Sequence, residues 1–267
     1  MMTKSLLFVF IIGAIVACNP YNRIQKSDDL ELKYDAAIRF YEKGDYFKAY
    51  PLIEELVTFY RGTNKIEKLY YYFAYCDYNI GDYYLAGYRF KNFAKMFPNS
   101  HLKEECLFMS AYCYYLNSPK YSLDQQDTKK AIAELQVFIN KFPESNRIDS
   151  CNTIMNKLRD KLEKKSYEIS KQYFHTRNYK AAISSFENTL TEFPDSEYRE
   201  EMMFLQVKAN YLLAVNSIES KKEERFNNTI KAYTKFANYY TGSKYLKELK
   251  SVQESAILEK ESLKNKN

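Results

Sequence analysis

The chain has 267 residues, 46% of them apolar, with only 6 Gly and 6 Pro, which excludes a low-complexity chain and points to an ordered, mostly helical body of one or two domains. Its formal net charge of +6 arises from 40 Lys and Arg interspersed with 34 Asp and Glu. That is a solvated surface and not the basic stripe of a nucleic-acid binder, so no nucleic-acid partner is expected.

Residues 1–17 read as an export leader. Lys4 supplies the positive start, and Leu6 to Gly13 form an apolar run too short to span a bilayer as a retained helix. Loss of the leader with Lys4 leaves a mature charge of +5. Its end, Ile15-Val16-Ala17-Cys18, resembles the bacterial lipobox, in which a small residue precedes a Cys whose thiol is diacylated before cleavage; the competing reading is an ordinary small-residue cleavage site followed by a Cys. Two or three acyl chains on Cys18, at about 0.8 kcal/mol per buried CH₂, would anchor the body permanently at a membrane face. Residues 18–29, with Asn19-Pro20-Tyr21-Asn22-Arg23, form a polar tether. By analogy with enterobacterial sorting, the absence of Asp at position 19 permits release to the outer membrane. No acidic cluster follows Cys18, and a periplasm-facing position is expected.

From Leu30 the chain repeats. Gly44-Asp45-Tyr46 followed by Ala49 returns as Gly81-Asp82-Tyr83 followed by Ala86, 37 residues on, and Tyr41, Tyr78 and Tyr115 keep the same 37-residue spacing. This is the pattern of tetratricopeptide (TPR) helix hairpins: a turn, a small residue at the helix crossing, aromatic residues on one face, and a Pro closing the second helix. The third hairpin carries Ala131, Leu135, Phe138 and Phe142-Pro143-Glu144-Ser145, but the loop Asn117 to Thr128 before it is eight residues longer than the others need, with Asp127 or Thr128 expected to cap the next helix. An inserted loop on a repeat array often binds something. Ile148, Cys151, Met155, Leu158, Leu162, Ile169 and Tyr173 then form one helical stripe of about 40 Å at ~1.5 Å per residue, expected to join two blocks rigidly. A fourth hairpin follows with Asn178-Tyr179, Ala182, Phe186 and Phe193-Pro194-Asp195-Ser196. The fifth runs from Ala209 through an expected polar connector, Asn216 to Asn228, to Tyr233, Phe236 and Tyr240-Thr241-Gly242-Ser243. A charged helix with Tyr245, Leu249, Val252 and Ala256 would cap the stack. The expected fold is all-α: a right-handed superhelical stack of about five TPR-like hairpins with a capping helix, with repeats 1–3 in 30–146 and repeats 4–5 plus the cap in 147–267.

Chemistry-bearing motifs are sparse. Cys76 and Cys113 occupy equivalent repeat positions and, with Cys106 and Cys151, read as buried thiols; Cys106 and Cys113, about 10 Å apart along one helix, cannot bridge. No C-x-x-C occurs, and His101 and His175 stand apart, so no metal or cofactor is expected. Neither a nucleophile elbow, a phosphate loop nor a His triad motif is present, which argues against an enzyme. The 27 Tyr are the residues with functional promise. Tyr41, Tyr71, Tyr75, Tyr78, Phe108, Tyr112 and Tyr115 fall on first helices, which line the concave face of a TPR array, where polar-tipped rings suit an extended or helical peptide. The same consensus positions are also ordinary aromatic core. Tyr121 and Asp124 in the inserted loop complete the candidate contacts.

With its lipobox, five hairpins, F-P-[NDE]-S repeat ends, the loop Ser118-Pro119-Lys120-Tyr121-Ser122-Leu123-Asp124-Gln125 and the run Tyr167 to Ser196, the sequence resembles the BamD family, the TPR lipoproteins of the outer-membrane β-barrel assembly machine. The resemblance spans nearly the whole chain. It implies a periplasm-facing, outer-membrane scaffold whose C-terminal repeats hold the POTRA domains of the barrel insertase and whose N-terminal repeats receive unfolded β-barrel clients. The sequence departs from the pattern at Asn178, where the turn lacks Gly, and at Thr241, where the last repeat lacks Pro. Two other readings are a glycan-capturing surface lipoprotein, disfavoured by this length and the absence of Trp, and a generic TPR lipoprotein adaptor for cell-wall or division machinery.

Overall fold

The structure, a computed structural model, describes residues 20–264. The leader 1–17 and Cys18 lie outside the described residues. Among the described residues twelve helices follow one another: α1 (Pro20–Gln25), α2 (Leu30–Glu42), α3 (Tyr46–Phe59), α4 (Ile66–Ile80), α5 (Tyr83–Met96), α6 (Lys103–Asn117), α7 (Gln126–Lys141), α8 (Ile148–His175), α9 (Tyr179–Glu192), α10 (Arg199–Val215), α11 (Glu219–Tyr239) and α12 (Leu246–Lys264). The described chain is all-α, as expected, and its helices pair in order as TPR-like hairpins: α2/α3, α4/α5, α6/α7, α8/α9 and α10/α11, with α12 packed on α11 and α10. No described helix is long and apolar enough to cross a membrane.

The turns explain the hairpins. After α2 the Asp45 amide donates to Phe40 O (2.9 Å), after α4 the Asp82 amide donates to Asp77 O (2.9 Å), and after α8 the Asn178 amide donates to Tyr173 O (2.9 Å). Each is a six-to-one bond closing a Schellman-type end, which needs a left-handed residue just before it. Gly44 (φ 76°) and Gly81 (φ 96°) meet that need without cost, and Arg177 (φ 62°) is forced into it. The third hairpin has no such turn, since Ser118 is extended (φ −62°, ψ 115°) and leads into the inserted loop.

The repeat ends have a second role. Ser100, Ser145, Ser196 and Ser243 each accept the amide two residues on (3.0, 3.1, 3.0 and 3.0 Å), starting the next first helix. Three of them also donate to a glutamate on the preceding hairpin's first helix: Ser100 to Glu67 (2.6 Å), Ser145 to Glu104 (2.6 Å) and Ser196 to Glu163 (2.5 Å). The F-P-x-S ending therefore ties successive hairpins together through a charge-assisted bond.

Packing follows the expected size pattern. Ala49, Ala86, Ala131 and Ala182 are fully buried at the helix crossings, while Phe90, Phe93, Phe138, Phe186 and Phe236 on the second helices fill the core. Gly87 allows a close approach of α5 and α6: a Cβ there would sit 3.2 Å from Cys113 Cβ, and the Ser110 hydroxyl donates to Gly87 O (2.9 Å). Cys76, Cys106, Cys113 and Cys151 are buried free thiols.

Two expectations are corrected. Residues 219–228 are not a connector but the first turns of α11, and the connection is only Asn216 to Ile218. Phe226, 1% exposed, packs against Ala214 and Ala256, so the polar residues around it are the wet face of a helix. Helix α7 begins at Gln126, ahead of the expected caps: Asp124 Oδ1 accepts the Gln126 amide (2.8 Å), and Thr128 turns inward, donating to Gln125 Oε1 (2.7 Å).

The chain divides into two compact units, one running up to Pro119 together with Asp124–Leu158, the other formed by Lys120–Leu123 and Arg159 onward. The division falls inside α8, which is unbroken through it. The first unit contains a core of Phe90, Phe93, Leu135, Phe138 and Leu158, and a second around Leu52, Ile53 and Leu69. In the second unit the core centres on Tyr167, Phe186, Met202 and Phe236.

Candidate functional site

In the first unit, α2, α4 and α6 bring most of the expected aromatic residues into one row. Tyr71, Tyr75 and Tyr78 recur at i, i+4 and i+7 on α4 and so share a face, with Tyr71 and Tyr75 rings 4.8 Å apart and Tyr75 and Tyr78 6.2 Å apart. Phe108, Tyr112 and Tyr115 repeat that spacing on α6, with centroids 5.9 and 5.5 Å apart. Tyr41 of α2 stacks on Tyr72 of α4 at 3.7 Å and 11°, and Tyr72 lies 6.1 Å from Tyr71. Tyr41, Tyr71, Tyr75, Tyr78, Tyr112 and Tyr115 are all half-buried.

The row is anchored from below. Tyr75 packs edge-on against Phe90 (4.9 Å, 82°) and Tyr71 against Phe93 (6.0 Å). Both hydroxyls converge on one carboxylate: Tyr71 donates to Glu105 Oε1 at 2.9 Å, and Tyr75 donates to the same oxygen. Burial pushes the Tyr71 hydroxyl up to about 12. Burial, and then the hydrogen bond to Glu105, raise Tyr75 well above the ordinary tyrosine range, and burial does the same for Tyr41. These hydroxyls stay protonated donors at any physiological pH, and the row offers peptide partners neutral rings with polar edges.

Two expected contacts have other duties. Phe108 is 8% exposed, edge-on to Phe138 (5.7 Å) with Arg147 above it (4.7 Å), so it supports Tyr112 and offers no surface of its own. Asp124 starts α7, as described above. Tyr121 belongs to the second unit, whereas the row belongs to the first: Lys164 Nζ lies 4.8 Å over the Tyr121 ring, and Lys165 Nζ donates to Leu123 O at 2.6 Å.

Sequence reading missed Glu105, whose signal was its place in the first turn of α6, level with the α4 tyrosines. It also missed the buried pair of Arg89 and Asp77, which joins α5 to α4 beside Phe73. Arg89 Nε donates to Asp77 Oδ2 (2.5 Å) and its guanidinium lies 3.4 Å over Phe73, while its second arm reaches Tyr50 (3.2 Å). Burial pushes Asp77 up to about 6, with the charge of Arg89 opposing. Among the described residues no group of three or more His, Cys, Asp or Glu is placed to hold a metal.

The family model described as YfiO, outer membrane lipoprotein, matches residues 27–226. An outer membrane protein assembly factor BamD from Pasteurella multocida is 21% identical over 229 residues, covering 82% of this chain and 88% of that protein. One from Caulobacter vibrioides is 22% identical over 130 residues, covering 49% and 42%. Among solved structures, the TPR domain of P58(IPK) aligns with a TM-score of 0.41 at 14% identity, over 92% of this chain and 68% of that one. The TPR2AB domain of yeast Sti1 gives 0.40 at 11% identity, over 88% and 92%. The family match takes in most of the chain, from the residues before α2 into α11, and the chain belongs to the YfiO family of outer membrane lipoproteins.

Proposed function

We propose that this chain is a lipid-anchored scaffold of outer-membrane protein assembly. The thiol of Cys18 carries acyl chains that hold it on the periplasmic side of the outer membrane. The tyrosine row of α2, α4 and α6 receives an extended segment of an unfolded β-barrel client, and the hairpins after α8 hold the POTRA domains of the barrel insertase. No covalent chemistry is involved. Binding both on one chain raises the effective concentration of client at the insertase, to the millimolar range for a short span.

Family membership and the assembly-factor relatives support the outer-membrane role. The observation that carries client binding is the row itself: six half-buried tyrosines on three successive first helices. Their clustering on adjacent helices, more than the partial exposure of any one ring, supports a binding face.

The test is the double variant Tyr75→Ala with Tyr112→Ala, titrated with a labelled peptide from the C-terminal strand of an outer-membrane barrel. Weakened binding at unchanged helicity is expected. Unchanged affinity in a folded variant refutes the assignment of the row.

A further inference from the structure

We infer that the second unit contains a separate docking pocket for an acidic side chain carried on an extended peptide. A cavity of about 400 Å³ opens between the inserted loop and α8, lined by Tyr121, Ser122, Lys165, Ile169, Gln172 and His175. That volume lies within the range of pockets that hold ligands, roughly 300–1,000 Å³. On α8, residues 165, 169, 172 and 175 are spaced i, i+4, i+7 and i+10, one face of a helix, so the wall is continuous.

Charge selects the occupant. Lys165, Lys171 and Lys164 stand in or beside the cavity against the lining carboxylate of Glu168 and the Glu201 carboxylate that pairs Lys171, which leaves an excess of one positive charge. Two of the lysines are already held in place. Lys165 Nζ is fixed by Leu123 O (2.6 Å), and Lys171 Nζ by the Tyr167 hydroxyl (2.8 Å) and Glu201 (3.1 Å). An ammonium has three donors, so these bonds leave two on Lys165 and one on Lys171. Both side chains are already drawn toward the cavity wall when a carboxylate arrives, which lowers the usual entropic cost of a lysine contact.

The remaining lining selects a peptide over a bare anion. Ile169, 40% exposed, and the Tyr121 ring give an apolar wall beside the lysines, and the Gln172 amide and Ser122 hydroxyl suit peptide backbone groups. The loop that distinguishes the third hairpin from its neighbours thus supplies one wall of a pocket. This pocket is distinct from the tyrosine row, so its failure would leave client binding at the row untouched.

The experiment measures binding of a fluorescein-labelled, C-amidated hexapeptide, Ser-Leu-Glu-Leu-Ser-Gly, to the full chain in detergent micelles, beside the same peptide with Gln for Glu. The Glu peptide is expected to bind about tenfold tighter, the value of one hydrogen-bonded charge contact. Lys165→Gln, which keeps a donor for Leu123 O, should abolish that preference, and so should Ile169→Glu at its exposed position, with the thermal unfolding midpoint unchanged. Equal binding of the two peptides overturns the inference. So does retention of the preference in both variants, or displacement of the peptide by millimolar inorganic phosphate or by phosphatidylglycerol vesicles as readily as by unlabelled Glu peptide.

Discussion

Glu105 is the point at which the tyrosine row is fastened to the fold, and removing it tests whether the row is a built surface. One carboxylate oxygen accepts from both Tyr71 and Tyr75, whose rings rest on Phe93 and Phe90. A hydrogen bond to a charged group contributes roughly 1.5–3 kcal/mol. Because the site is only half-buried and water can reach part of it, the pair together should be worth about 2–3 kcal/mol and not the sum of two full bonds. Glu105→Ala should therefore lower the urea-unfolding free energy of the first cooperative transition by about 2–3 kcal/mol, and Glu105→Gln, which keeps an acceptor, by about 1 kcal/mol. Combining Tyr71→Phe and Tyr75→Phe with Glu105→Ala should add little further loss, since the partner groups are then absent together. A loss under about 0.5 kcal/mol for Glu105→Ala, or additive losses in the triple variant, would show that the hydroxyls are not anchored there. In that event the row would be loose side chains on a helix surface.

Four further outcomes are expected. Arg177→Gly relieves a left-handed residue at an exposed turn, worth about 1–2 kcal/mol, against about 0.5–1 kcal/mol of added chain entropy; urea denaturation should show a net gain near 0.5–1 kcal/mol, and a loss contradicts the turn geometry. Gly87→Val drives a side chain toward Cys113 Cβ and should cost about 1–3 kcal/mol in the same assay. Asp77 is raised by burial to about 6, so its contribution to stability is fullest below the ordinary carboxylate value and is lost as pH climbs through 6. The thermal midpoint of Asp77→Asn relative to the parent should accordingly rise between pH 5 and pH 7.5, and a flat difference refutes the buried-carboxylate reading. Burial pushes the Cys76 and Cys113 thiols up to about 12 and raises Cys106 and Cys151. At pH 8 a thiol reagent should leave these four cysteines unmodified until denaturant is added, and rapid labelling of the native chain would contradict their burial.

The hairpins were legible because their determinants are local. A Gly-Asp-Tyr turn, a crossing Ala and a Pro-closed second helix each report on a few neighbouring residues, and the 37-residue phase of Tyr41, Tyr78 and Tyr115 repeats that report three times. Arg177 shows the limit of such reading: the turn keeps its left-handed geometry without the Gly that marks it elsewhere, because the six-to-one bond of Asn178 and the packing of α8 on α9 impose it. Residues 219–228 were misread for the opposite reason. Their charged residues Lys221 to Arg225 suit a solvated helix as readily as a polar connector, and what distinguishes the two, burial of Phe226 against Ala214 and Ala256, is a tertiary contact. The candidate site was legible as a set of residue types but not as a set of bonds. Spacing placed Tyr71 and Tyr75 on one face, whereas their shared acceptor Glu105 lies on another helix, 30 residues beyond Tyr75, a pairing that only tertiary packing creates. The inserted loop was recognisable by its length alone. That it packs on α8 and shapes a cavity there could not be read from residues 120–123 themselves.

The central claim is that this chain holds barrel clients at its tyrosine row and the insertase at its C-terminal hairpins. It is tested most directly by site-specific photo-crosslinking in the intact envelope, with the probe placed in turn at Tyr75, at Tyr112 and at an exposed position of α12 such as Leu258. The expected result is that the row positions trap unfolded outer-membrane barrel proteins and the α12 position traps a POTRA-bearing barrel protein. Recovery of cell-wall enzymes alone from all three positions would contradict the account and assign the chain to an adaptor of wall or division machinery.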